Sequence, residues 1–130
     1  MADKKKGHIL VVEDDRNSRL LLVDFLSAHG WRVSEAEDGL TAIELAKKEK
    51  FAAVILDLRL PGENGLVVAR RLRSQAETAG TPVIVTSAFV DQANKMKAYQ
   101  AGANFFLGKP VDLEELLHIV QNAVRGVGES

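Results

Sequence analysis

Four short apolar runs in this chain each lead into side chains that can do chemistry. Ile9–Val12 runs into Glu13, Asp14 and Asp15, and Val54–Leu56 runs into Asp57. Val83–Val85 runs into Thr86 and Ser87, and Phe105–Leu107 is followed after Gly108 by Lys109 and Pro110. Two adjacent carboxylates and a third one set apart make a hard oxygen site. Mg²⁺ suits it best, because that ion takes one or two carboxylates and keeps positions open for water and phosphate. A carboxylate can also act as a nucleophile toward phosphorus, forming an aspartyl phosphate. Asp57, apart from the acidic run, is the natural nucleophile. Lys109 supplies a positive point charge for a carboxylate or a phosphoryl oxygen, and Ser87 supplies a hydroxyl donor. No histidine or cysteine stands near these groups, which disfavours zinc and copper.

The elements that must carry these groups follow from hydrophobic pattern. His8–Val12, Trp31–Ala36, Ala52–Leu56, Pro82–Val85 and Asn104–Leu107 read as strands. Those around Ile9, Val54 and Val83 are almost continuously apolar, as strands buried on both faces are. The run from Trp31 is more polar, which suits a sheet edge. Helical stretches lie between. Leu21, Leu22, Phe25 and Leu26 fit a helix ending near Gly30. Asp38, Asn64 and Asp91 each precede a helix, the last stopping at Gly102. Asp112 and Glu115 have capping-box spacing ahead of the stripe Leu113, Leu116, Leu117, Val120 and Val124. The order is strand–helix, five times. Such alternation implies a doubly wound α/β fold with a parallel sheet, right-handed crossovers and helices on both faces. Ligands of such sheets sit beyond the carboxyl ends of the strands, where all four reactive clusters fall.

The bulk composition bounds the rest. The chain has 130 residues, 46% of them hydrophobic and 27% charged, a net charge of −1 and no cysteine. That is the size of one compact domain, here residues 1–130 with a core over about 7–125 and frayed ends at 1–6 and 126–130. Disulfides, thiolate zinc sites and cysteine nucleophiles are excluded. No field favours nucleic acid, no apolar stretch approaches a bilayer span, and the basic start lacks the apolar stretch of a signal peptide. A cytoplasmic protein is expected.

Together, in order and at strand ends, the clusters are specific. Ile-Leu-Val-Val-Glu-Asp-Asp at 9–15, Leu-Asp-Leu-Arg-Leu-Pro-Gly at 56–62 with Asn64-Gly65, Val-Thr-Ser-Ala at 85–88 and Lys109-Pro110 resemble a response-regulator receiver domain of two-component systems, similar to the single-domain chemotaxis regulator. The resemblance spans residues 7 to 125. It implies a flavodoxin-like (βα)5 fold with sheet order 2-1-3-4-5, which sets the first and third strands side by side. It also implies a signalling switch, not an enzyme beyond its own phosphorylation and dephosphorylation. Asp57 would accept a phosphoryl group from a histidine kinase or phosphotransfer protein. Glu13, Asp14 and Asp57 would hold Mg²⁺ with the backbone carbonyl of Arg59. Lys109 would pair with Asp57 and then with phosphate, its bond to Pro110 being cis. Ser87 would be the switch hydroxyl and Phe106 the switch aromatic. The output would pass through the face of the fourth helix, fifth strand and fifth helix, to a second copy or an effector. The fourth helix, poor in large apolar residues, would be the more mobile one. Arg59 and Phe89, two residues beyond Asp57 and Ser87, stand where the family modulates attack by water. Phe89 offers water no hydrogen bond, so slow autodephosphorylation is expected.

Plainer readings stand beside these. Glu13-Asp14-Asp15 alone suits a solvated turn, and Asp15 suits a helix cap. Asp57 closes a buried run, where an unpaired carboxylate costs several kcal/mol, so it demands a partner under any reading. Thr86 reads as a strand end, Phe105 as core, and Phe106 could be a surface aromatic. His8, His29 and His118 lack ligand spacing, and Arg70, Arg71 and Arg73 most simply face water. The rivals are a pseudo-receiver that binds without phosphorylation, and an enzyme of similar topology. The acidic loop after Val12 disfavours flavin, and no Asp-x-Asp phosphatase motif stands at the first strand. No output domain follows Arg125, so a stand-alone regulator or a fragment of a longer one is expected.

Overall fold

The computed structural model describes residues 7–60, 62 and 64–128. The elements alternate as expected: β1 (His8–Val12), α1 (Arg16–Ala28), β2 (Arg32–Ala36), α2 (Gly39–Lys48), β3 (Ala53–Asp57), α3 (Gly65–Ser74), β4 (Val83–Ser87), α4 (Gln92–Gln100), β5 (Phe105–Gly108) and α5 (Leu113–Gly128). The five strands pair in parallel in the order β2-β1-β3-β4-β5. Expected tails at 1–6 and 129–130 lie outside the described residues. The helix α5 runs to Gly128, past the limit of 125 read from the sequence.

Side chains of a strand alternate between the two sheet faces, and the core splits accordingly. Leu10, Val12, Val54, Leu56, Val83 and Val85 pack under α2, α3 and α4. Ile9, Val11, Ala53, Ile55, Ile84 and Leu107 pack under α1 and α5. The three central strands are buried on both faces, which is why their sequences are continuously apolar. Trp31 precedes β2 instead of opening it, and its ring joins the α1/α5 core.

The helix ends follow local chemistry. Asp15, Asp38, Asn64 and Asp91 each accept a first-turn backbone N–H at the start of α1, α2, α3 and α4. Asp112 Oδ1 accepts from Glu114 N and Glu115 N at the start of α5. Gly30 and Gly102, at φ 93° and 114°, close α1 and α4 in the left-handed region that glycine enters without strain.

Two further sequence readings are corrected. The third and fourth strands run on through Asp57 and Ser87, because neighbouring strands continue the ladder: Asp57 pairs with Thr86, and Ser87 with Gly108. Arg73 does not face water. Its guanidinium donates to the carbonyls of Ala79 (2.9 Å), Thr81 (2.8 Å) and Gly102 (2.5 Å) and to Asn104 Oδ1 (2.9 Å). It thereby ties the end of α3 to the loops that enter β4 and β5. Arg70 and Arg71 are exposed.

Candidate phosphoryl-accepting site

Strand alternation builds the site. Glu13 continues the face of Ile9 and Val11, Asp57 that of Ala53 and Ile55, and Lys109 that of Leu107. The adjacent strands β1 and β3, and β5 from beyond β4, thus deliver two carboxylates and an ammonium to one point on the carboxyl edge. Lys109 Nζ donates to Glu13 Oε1 at 2.8 Å and to Asp57 Oδ2 at 2.9 Å. Glu13 and Asp57 are 2% and 4% exposed, so both carboxylates are held out of water. Their remaining oxygens are satisfied locally. Arg59 N donates to Asp57 Oδ1 at 3.1 Å, and Asp15 N donates to Glu13 Oε2 at 3.1 Å.

Asp14 is exposed, yet its carboxylate lies with those of Glu13 and Asp57 in a group whose oxygens are within 4.8 Å of one another. Three carboxylates face one ammonium. Hard oxygen donors with surplus negative charge, two of them buried, are the donor set that a small divalent cation neutralises. The residues present therefore fit Mg²⁺. They open into a cleft of about 610 Å³ that Arg59 and Asn64 also line.

The electrostatics show the tension. Burial pushes the Glu13 carboxyl above its ordinary value, against the hydrogen bond from Lys109. Burial also pulls the Lys109 ammonium down, but Glu13 and Asp57 together outweigh it and leave the pKa raised. Lys109 thus stays charged, while one carboxylate is crowded.

The remaining residues take distinct places. The Lys109–Pro110 bond is cis, as the resemblance implies. Asp15 caps α1 through Ser18 N at 2.8 Å and leaves the carboxylate group. Ser87 is buried, and its hydroxyl bonds within its own turn, accepting from Phe89 N at 3.0 Å. Phe106 is half-buried against the core on the α4 side, and Phe105 is half-buried against the α1/α5 core. The Arg59 guanidinium sits 5.1 Å from the centroid of the Phe89 ring, a cation–π pair between the two loops that follow β3 and β4. Gly65 packs against the loop after β3 so closely that a Cβ would meet Leu58 Cα at 2.6 Å and Asp57 O at 2.7 Å.

Two features were missed in the sequence. Thr86 is buried and lines a second cavity of about 390 Å³ shared with Glu13 and Lys109. Arg19 is buried beside the acidic loop, and only the wide spacing of α1 from Glu35 hid it.

Known proteins match this architecture. The family model of the response regulator receiver domain matches residues 9–121. The protein PilH of Pseudomonas aeruginosa is 36% identical over 120 residues, covering 92% of this chain and 99% of PilH. The response regulator MprA of Mycolicibacterium vanbaalenii is 38% identical over 128 residues, covering 94% of this chain; the chain spans 54% of MprA's length. A response regulator from Chloroflexus aurantiacus superposes with a TM-score of 0.89 at 31% identity, over 93% of this chain and 99% of that one. The receiver domain of a Pseudomonas aeruginosa sensor histidine kinase, whose crystal structure holds a magnesium ion in the active-site cleft, superposes with a TM-score of 0.86 at 31% identity, over 92% and 98% of the two chains.

The chain belongs to the response regulator receiver domain family. It is a signalling domain of the two-component type with the five-stranded, flavodoxin-like fold. Among the described residues, no helix is long and apolar enough to cross a membrane.

Proposed function

We propose that the domain accepts a phosphoryl group on Asp57 from a phosphohistidine of a histidine kinase or phosphotransfer protein, in a Mg²⁺-dependent reaction. The observation that carries this reading is the Asp57 carboxylate itself. It is buried at the end of β3, 2.9 Å from Lys109 Nζ and within the group formed with Glu13 and Asp14.

In the transfer, an Asp57 carboxylate oxygen attacks phosphorus. The O–P bond forms as the P–N bond breaks to a donor imidazole protonated on its other ring nitrogen, and the neutral imidazole leaves. Such a step asks the protein mainly for positioning and charge neutralisation. Glu13, Asp14, Asp57 and the Arg59 carbonyl would hold Mg²⁺, whose charge offsets the carboxylates and the incoming phosphoryl oxygens. Lys109 is already beside Asp57 Oδ2 and follows the negative charge onto the phosphoryl group. Phosphorylation adds about 1.5 to 2 negative charges and strong acceptor oxygens. Ser87 would then leave its bond with Phe89 N for one of those oxygens.

The β4–α4 loop and α4 would answer. The helix α4 buries only Ala98 of its own residues and leaves Met96 and Tyr99 half-exposed, the marks of a segment that opens at low cost. Phe106 would turn further inward, and the α4–β5–α5 face would carry the signal to an effector or a second copy. Ligation biases two pre-existing states and shifts them only by its differential affinity. Phe89 supports a slow loss of the phosphoryl group, since its ring, 5.1 Å from the Arg59 guanidinium, offers an approaching water no hydrogen-bond partner.

Acetyl phosphate with Mg²⁺ tests the reading. Intact mass should rise by one phosphoryl group, and hydrogen exchange should change over α4 and β5. No adduct from acetyl phosphate or a phosphorylated kinase would instead mark a receiver used for binding alone. A phosphoryl half-life of seconds would contradict the role given to Phe89.

A further inference from the structure

We infer that Arg19 is a positioning residue for the divalent-cation site: it sets the backbone of the acidic loop, so that two consecutive carboxylates point to one place. The inference rests on the Mg²⁺-dependent reading above and assigns that site a determinant beyond its ligands.

The need for such a residue comes from strand geometry. Consecutive side chains on an extended strand point to opposite faces. Glu13 and Asp14 are consecutive, yet both bring an oxygen to Asp57. The chain must therefore leave β-geometry within the acidic run itself. Glu13 N still donates to Ala36 O at 3.0 Å, the last rung of the β1–β2 ladder. Beyond that rung the carbonyls of Glu13 and Asp14 need donors from elsewhere, because a buried carbonyl without a partner is costly.

Arg19 supplies them. Its Nη1 donates to Glu13 O at 2.9 Å and to Asp14 O at 3.3 Å, and its Nε donates to Glu35 Oε1 at 2.9 Å. The side chain is 9% exposed. One planar fork thus holds two successive peptide groups of the loop and anchors them to β2. Lysine, with a single mobile nitrogen, cannot span the same three acceptors. Glu35 has a second effect. It neutralises a guanidinium that would otherwise oppose a divalent cation close by, so the clasp acts through geometry at little net charge.

Mg²⁺ titration by calorimetry separates this role from mere stabilisation. Arg19→Lys and Arg19→Met should raise the Mg²⁺ dissociation constant about 10-fold, as loss of groups that orient metal ligands does. At saturating Mg²⁺ the extent of phosphorylation by acetyl phosphate should stay near that of the parent chain. Glu35→Gln should weaken Mg²⁺ binding in the same direction by a smaller factor. Arg73→Ala removes a comparable guanidinium clasp at the far edge of the sheet; it should lower the melting temperature and leave Mg²⁺ affinity unchanged. Folded Arg19 variants with parental Mg²⁺ affinity would overturn the inference alone. So would equal losses of affinity in the Arg19 and Arg73 variants, or Arg19 variants that do not fold at all, since the residue would then serve stability. A parent chain that binds no Mg²⁺ would overturn the Mg²⁺ reading and this inference with it.

Discussion

The two edges of one sheet carry the same device to different ends. At the amino edge, Arg73 is a part-buried cation ringed by neutral oxygens: carbonyls of Ala79, Thr81 and Gly102 and the Asn104 side chain. At the carboxyl edge, Lys109 is a part-buried cation facing two buried carboxylates, with a third from Asp14 close by. The first cluster holds its guanidinium with neutral acceptors, and burial pulls the Arg73 pKa below its ordinary value. The second carries surplus negative charge, and Glu13 pays for it with a carboxyl pushed up by burial. A fold that bonds its polar groups at one end can hold a crowded set at the other, whose surplus negative charge would draw the cation that the proposed phosphoryl transfer needs.

Four predictions break or sharpen that contrast. Lys109→Ala strikes the carboxyl edge and should cut the rate of phosphorylation by acetyl phosphate about a hundredfold, the scale of losing one preorganised donor. Rate measurements at saturating Mg²⁺ check it, and a near-parental rate would place the countercharge elsewhere. Arg73→Ala strikes the amino edge. It should lower unfolding free energy by about 2–3 kcal/mol, because several carbonyls lose a charged donor, with the phosphorylation rate kept. Urea denaturation and the same rate assay read both halves.

Glu13→Gln should do the reverse to stability. The folded-state pKa of Glu13 is raised, so its contribution is fully present below the unfolded value near 4.3 and is lost as pH rises through the folded value. At neutral pH without Mg²⁺, the charge costs stability. The neutral glutamine should therefore raise it by about 1 kcal/mol, flatten the pH dependence above pH 4 and weaken Mg²⁺ binding. A destabilised Glu13→Gln variant would remove the claim that this edge is crowded. Asp38→Ala, at neither cluster, should cost about 1 kcal/mol through the lost cap of α2, and should leave both Mg²⁺ affinity and phosphorylation alone.

The contrast also marks what was legible in the sequence. The acidic run, Asp57 and Lys109 could be read because each ends a continuous apolar strand, and strand order brings the ends together. Helix caps at Asp38, Asn64, Asp91 and Asp112 were legible because capping is local, within three residues. Arg73 was not. Its acceptors lie in two loops, the farther at Gly102 and Asn104, and nothing in the spacing of an arginine on α3 announces them. Arg19 escaped for the same reason, since Glu35 stands on a different element. The strand ends at Asp57 and Ser87 were placed short because pairing with a neighbour, not composition, decides where a ladder stops. The pairing of Arg59 with Phe89 across two loops was equally out of reach, although both positions had been marked for their place beyond Asp57 and Ser87.

The central claim is that Asp57, among three clustered carboxylates, takes the phosphoryl group. Borohydride reduces an acyl phosphate to an alcohol and so converts a phosphorylated aspartate into homoserine, which peptide mass mapping locates. After treatment with acetyl phosphate and Mg²⁺, homoserine should appear at position 57, and Asp57→Asn should show none. Homoserine at position 14 instead, or an unchanged yield in Asp57→Asn, would contradict the account.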